Sequence, residues 1–107
     1  MSEKTLFSPR DAESWPLSPG GLSRLALSGP DVELRYFTPR GVDPQTPHDR
    51  DELYIVISGR GYFERRGRTT PFFPGDALFA AAGEQHRFTD FGDDFAAWVI
   101  FFGSKKA

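Results

Sequence analysis

Glycine and proline interrupt this chain so often that its longest stretch free of both is the eleven residues from His48 to Ser58. A helix interior loses about 1 kcal/mol at each glycine and about 3 kcal/mol at each proline relative to alanine. With 11 glycines and 9 prolines among 107 residues, long helices are excluded, and the segments between breakers read as strands. Val32, Leu34 and Tyr36 alternate with Glu33 and Arg35, the period of a half-buried strand. Glu52 to Ser58 (ELYIVIS) is rich in β-branched residues and apolar on both faces, which predicts a central strand. Ser58-Gly59-Arg60-Gly61 then has the composition of a hairpin turn, from which Tyr62 to Arg66 runs back. Leu22 to Ser28, Thr69 to Phe73, Ala77 to Ala82, His86 to Phe91 and Phe95 to Phe102 supply further strands. Short strands at this spacing indicate an all-β sandwich or barrel. Residues 1–21, rich in Ser, Pro and Gly, read as an N-terminal arm that Leu6, Phe7, Trp15 and Leu17 pin to the body or to a partner chain; residues 22–107 form a single domain.

Charge and composition narrow the function. Thirteen Lys plus Arg against fifteen Asp plus Glu give a net charge of −2, without the basic excess that binds phosphate backbones through counterion release, so no nucleic-acid partner is expected. Arg60, Arg65, Arg66 and Arg68, with Tyr62 and Phe63 between, are read as a solvated face, and surface placement is expected for Arg35 and Arg50. With no cysteine, disulfides, thiolate catalysis and Cys-based metal sites are absent. The longest apolar run, Phe95 to Phe102, is eight residues, far below the roughly 20 that cross a bilayer. The N-terminus has no apolar stretch after its lysine. A cytoplasmic protein with no membrane partner is the expectation.

Two histidines, His48 and His86, are present. His48 and Glu52 are four apart, about 13 Å in a straight strand at 3.3 Å per residue, whereas ligands of one ion bind within about 2.0–2.2 Å of it. A straight strand therefore cannot bring them together. Pro47 and the β-branched run argue against a helix, and a bend at Asp49-Arg50-Asp51 remains. Glu52 lies in phase with Tyr54 and Val56; if that face is interior, a carboxylate is buried, which a metal or another cation compensates. Two imidazoles and a carboxylate are ligands of non-haem iron, manganese or zinc. The same three groups could instead form only a hydrogen-bonded polar cluster.

The stretch from His48 to Gly59, a histidine followed by Glu52 and then a glycine, resembles the first motif of the cupin superfamily. Pro74-Gly75-Asp76-Ala77-Leu78-Phe79-Ala80-Ala81-Ala82-Gly83-Glu84-Gln85-His86 is similar to the second. The likeness spans roughly residues 31–103. It implies a double-stranded β-helix, a jelly-roll-like antiparallel barrel holding a divalent metal (Fe, Mn, Zn or Ni), with His48, Glu52 and His86 at three of four ligand positions. Thr46 stands where the family carries another histidine, Ala81 where it carries a proline, and Asp90 where it often carries an asparagine. The missing fourth ligand leaves either a two-histidine, one-carboxylate face with open positions or a weak site, with Gln45 or Thr46 able to act through water.

Tyr36, Tyr54, Phe79, Phe88 and Trp98 are expected in the core, though some could line a barrel holding an apolar or aromatic small molecule. The apolar last strand needs cover on both faces, from the arm or another subunit, and the resemblance also implies a homodimer. The leading expectation is a metal-dependent dioxygenase acting on a small organic molecule, in which no acid or base other than Tyr54 suggests itself. The alternative is a non-catalytic module binding a small molecule or metal. An isomerase or epimerase is disfavoured, because both histidines are already engaged.

Overall fold

The structure, a computed structural model, describes residues 4–105. Eight strands follow a short helix: α1 (Pro9–Ala12), β1 (Ser23–Ser28), β2 (Val32–Phe37), β3 (Asp51–Ser58), β4 (Gly61–Arg65), β5 (Arg68–Phe72), β6 (Ala77–Ala80), β7 (His86–Thr89) and β8 (Ala96–Phe102). They form a five-stranded sheet in the order β1-β2-β8-β3-β6 and a three-stranded sheet in the order β5-β4-β7. All pairings are antiparallel. From β3 onward the chain moves between the sheets, giving the jelly-roll architecture. No helix among the described residues is long and apolar enough to cross a membrane.

All eight expected strands are present, with ends shifted by a few residues, but the turn after β3 is different. β3 pairs with β6 and β8, while β4 pairs with β5 and β7. Gly59-Arg60 is therefore a corner between sheets and not a hairpin. Gly59 has φ +85°, and a Cβ there would sit 2.7 Å from the Phe95 Cα, so close backbone approach as well as conformation requires glycine. The two-residue hairpin lies at Arg66-Gly67, between the Arg65–Arg68 pair of β4 and β5. Both turn residues have positive φ, 54° and 72°, as a type I′ turn requires.

The sheets close over Phe37, Phe63, Phe72, Phe88, Phe95 and Val99. Phe88 lies 4.8 Å from the Phe63 ring and 4.9 Å from Phe95, centroid to centroid. This end of the barrel is packed with rings, so no aromatic-lined chamber forms among them. Of the aromatics expected in the core, Tyr36, Tyr54 and Phe88 are buried, Trp98 is half-buried and Phe79 is exposed. Phe79 pairs with Leu53 on the outward face of the five-stranded sheet, which an alternating strand presents opposite Glu52 and Tyr54.

The arm lies against one corner of that outward face. Ala12 is buried with Tyr36 and Ala96, and Trp15 and Ile57 pack beside them. Trp15 and Trp98 have centroids 6.3 Å apart. The Leu6 and Leu17 side chains are exposed, and Leu17 is joined to Arg24 of β1 by an isolated backbone bridge. The arm thus covers the Ala96–Trp98 end of β8 and leaves its Phe102 end uncovered.

Candidate metal centre

Beside the phenylalanine core, with the Phe63 and His86 rings 6.1 Å apart, polar side chains gather inside the barrel. Glu52 follows Asp51 at the head of β3, between β8 and β6, where alternation turns Glu52, Tyr54 and Val56 inward. His48 precedes the strand across a bend at Asp49-Arg50, which brings its Nε2 to 3.7 Å from Glu52 Oε1. Of the options open at four-residue spacing, the bend is the one adopted. The His48 ring leans edge-on against Phe101, at 5.2 Å.

His86 reaches the same point from the other sheet, as the first residue of β7. Its loop is fastened to the start of β3: Gly83 N–H donates to His48 O at 2.8 Å, and Ala82 N–H donates to Asp51 Oδ1 at 2.9 Å. These bonds hold two segments together that are far apart in sequence. Glu84 adds to the clamp, accepting from Ala81 N–H at 2.7 Å and Arg65 Nε at 2.7 Å, and also from Arg66 Nε. The guanidinium of Arg65 first, then the Ala81 amide, lowers the Glu84 carboxyl to about 2. The Glu84 carbonyl lies 2.9 Å from His86 Nδ1, so Nδ1 carries the donated proton and Nε2 turns toward Glu52.

His48, Glu52 and His86 each offer one donor atom within 4.8 Å of the others. Glu52 is 0% exposed. Its Oε1 accepts from Tyr54 O–H at 2.7 Å. Its Oε2 has no aligned hydrogen-bond partner, though His86 Nε2 lies within ion-pair reach at 3.1 Å. Burial, then the charge and hydrogen bond of Glu52, push the Tyr54 phenol well above its ordinary 10.0, so Tyr54 remains a proton donor. Burial opposes an imidazolium at His86, yet the adjoining Glu52 carboxylate and the Glu84 carbonyl outweigh it and raise its pKa above 6.5. A buried carboxylate with one oxygen beside His86 and the other beside His48 is a donor set that a divalent cation fits.

Thr46 is exposed, whereas Gln45 turns its carbonyl oxygen into the centre, 3.1 Å from Tyr54 Oη and 3.2 Å from His48 Nε2. Asp43, buried in the connection before β3, was not singled out by sequence; an Asp-Pro step in a loop signals a turn and not an interior acid. Asp90 lies exposed after β7. Arg35 is engaged by Glu33 at 2.6 Å and by Ser18 and Ser23. Arg65 and Arg66 are held by Glu84, Phe63 is buried and Tyr62 is exposed. Outside the centre lies an open basin of about 830 Å³, reached past Gln45, His86, Arg65, Arg66 and Arg87.

Comparison with protein-family models matches residues 34–102 to the cupin domain family. An uncharacterized protein of Streptomyces coelicolor is 36% identical over 59 residues, which span 55% of this chain and 56% of that protein. KdgF from Halomonas sp. superposes with a TM-score of 0.73 at 21% identity, covering 92% of this chain and 93% of that one. A Cupin 2 conserved barrel domain protein from Salinispora arenicola superposes at 0.70 with 20% identity over 94% and 91%. These two are likenesses of fold. The match over residues 34–102 contains both motifs and all three clustered donors, and this chain belongs to the cupin domain family.

Proposed function

We propose that this cupin holds a divalent metal ion on His48, Glu52 and His86 and presents it to a small polar organic molecule entering from the basin, as a metal-dependent oxygenase. The observation that carries this reading is the fully buried Glu52 carboxylate, with Oε2 beside His86 and Oε1 beside His48. Iron(II) in such a site supplies Lewis acidity toward a substrate oxygen and redox chemistry with dioxygen. The chain's own groups do the positioning. Tyr54 keeps its proton on Glu52 Oε1, the Glu84 carbonyl fixes the His86 ring, and the phenylalanine core closes the lumen below the site. His48, with 34% of its side chain exposed, faces a second, smaller recess lined also by Arg35, Arg50 and Phe101. Arg87 and Glu64, paired across β7 and β4, put both signs of charge on the basin rim.

A non-catalytic binding module is the second reading. It is favoured by the absence of a free base among the described residues touching the three donors: Tyr54 retains its proton, and Asp43 is engaged by Gln45 and Phe88. Two measurements separate the readings. Metal content of the purified protein, compared with His86→Ala, is expected near one ion per chain and sharply reduced in the variant. Fewer than about one ion in ten chains, unchanged by the substitution, would overturn the metal site. Oxygen uptake with iron(II) and a panel of catechols and enols supports the enzyme; full metal loading with no uptake supports the binder.

The working unit proposed is a homodimer through the outward face of the five-stranded sheet. Leu34, Leu53, Ile55 and Ile100 lie on that face by register, with Phe79 39% exposed and Phe102 37% exposed at its margin. A second copy would meet it with the same patch, as two-fold symmetry requires.

A further inference from the structure

Asp43 is 4% exposed although it belongs to no strand. Its Oδ2 accepts from Phe88 N–H at 2.9 Å and from Gln45 Nε2 at 2.6 Å, and its Oδ1 accepts from Gln45 N–H at 3.3 Å. A carboxylate only accepts, so the Gln45 amide nitrogen must face Asp43 and its oxygen must face the centre. There Oε1 lies 3.1 Å from Tyr54 Oη and 3.2 Å from His48 Nε2. Tyr54 has one proton and a shorter acceptor, Glu52 Oε1 at 2.7 Å. With both imidazoles neutral and their Nε2 lone pairs turned inward, both Glu52 oxygens, Gln45 Oε1 and the two imidazole nitrogens meet around the one Tyr54 proton, whose hydroxyl is also 3.1 Å from His86 Nε2. A cation among them satisfies all of these at once.

We propose that Gln45 Oε1 is the fourth protein donor to the metal, and that Asp43 is the positioning residue that aims it. This rests on the metal reading above and extends it. It places a neutral amide oxygen, offered from one residue earlier in the chain, in the role for which Thr46 is unsuited. Two imidazoles with two oxygens form a harder set than three imidazoles with one, and shift preference toward manganese(II) and iron(II).

Manganese(II) is the probe. Metal-free protein is titrated with it while free ion is read by electron paramagnetic resonance and bound water by proton relaxation. Gln45→Ala and the bulkier Gln45→Leu are expected to weaken binding about tenfold or more and to admit one additional exchangeable water on the bound ion. Asp43→Asn, which keeps an acceptor for Phe88 N–H, is expected to fall between these and the wild type in both readouts. Wild-type binding with unchanged affinity in the Gln45 variants overturns the assignment of Gln45 alone, as does weaker binding with an unchanged water count. A wild-type protein that takes up no manganese, iron or zinc overturns the metal reading and this inference together.

Discussion

Replacing Glu52 by Gln removes the one anion among the three clustered donors while leaving shape and volume almost unchanged. In the metal-free protein the cost should be small at a pH above the raised His86 pKa, where that imidazole is neutral. Tyr54 O–H, 2.7 Å from Oε1, still finds a carbonyl acceptor, and the new amide N–H₂ takes the place of the unpartnered Oε2, 3.1 Å from His86 Nε2. Removing a buried charge whose partner is then neutral is close to neutral for stability, so the metal-free midpoint should move by the equivalent of about 1 kcal/mol or less. With metal the result reverses. A ligand at a hundred times its dissociation constant stabilises the folded state by about 2.7 kcal/mol. At about 4–8 °C per kcal/mol for a domain near this size, the wild type should gain about 10–20 °C. Glu52→Gln should gain little, since an amide oxygen replaces the carboxylate. Thermal unfolding by circular dichroism, with and without manganese(II), measures both numbers. A variant that keeps the full metal-induced rise would show that the carboxylate is not the anchor. One that collapses without metal would show that Glu52 is structural.

Other outcomes follow from particular contacts. Gly59→Ala should cost clearly more than Gly67→Ala in urea unfolding. Both have positive φ, worth about 1–2 kcal/mol to a side chain, but only Gly59 has backbone atoms of Phe95 in the way; equal costs would refute the close-approach argument. Phe88→Ala should lose about 3–5 kcal/mol, since its ring meets Tyr54, Phe63, Phe72 and Phe95; a loss under about 1 kcal/mol would contradict the packed core. Glu84, held near 2 against an ordinary 4.5, contributes stability that is complete above pH 4.5 and disappears as pH falls through 2. The stability gap between wild type and Glu84→Gln should therefore be widest near neutrality and close on acidification, and a gap independent of pH would count against it. Phe79→Asp with Phe102→Asp should convert a dimer to a monomer in sedimentation, with the fold retained; an unchanged sedimentation coefficient would rule that face out.

The strands were legible because breakers and alternation are local properties. Val32 to Tyr36 and Glu52 to Ser58 declare their period without reference to the rest of the chain. The three clustered donors were legible through motif spacing, and the phase of Glu52 with Tyr54 and Val56 correctly turned it inward. Phe79 was misplaced for a related reason. Its strand is short, and period alone does not say which face is outside when the residues on either side, Leu78 and Ala80, are themselves apolar.

What the chain determines unaided is the list of strands, the bend that Pro47 and Asp49-Arg50 allow, and the three residues of the candidate metal centre. Which sheet each strand joins was decided only by tertiary pairing, since Gly59-Arg60 has hairpin chemistry yet turns a corner. The same holds for Asp43 and Gln45. A loop carboxylate becomes an interior anchor only when Phe88 N–H and the Gln45 amide converge on it. That convergence links residues up to 45 positions apart, a separation over which local propensity carries no information.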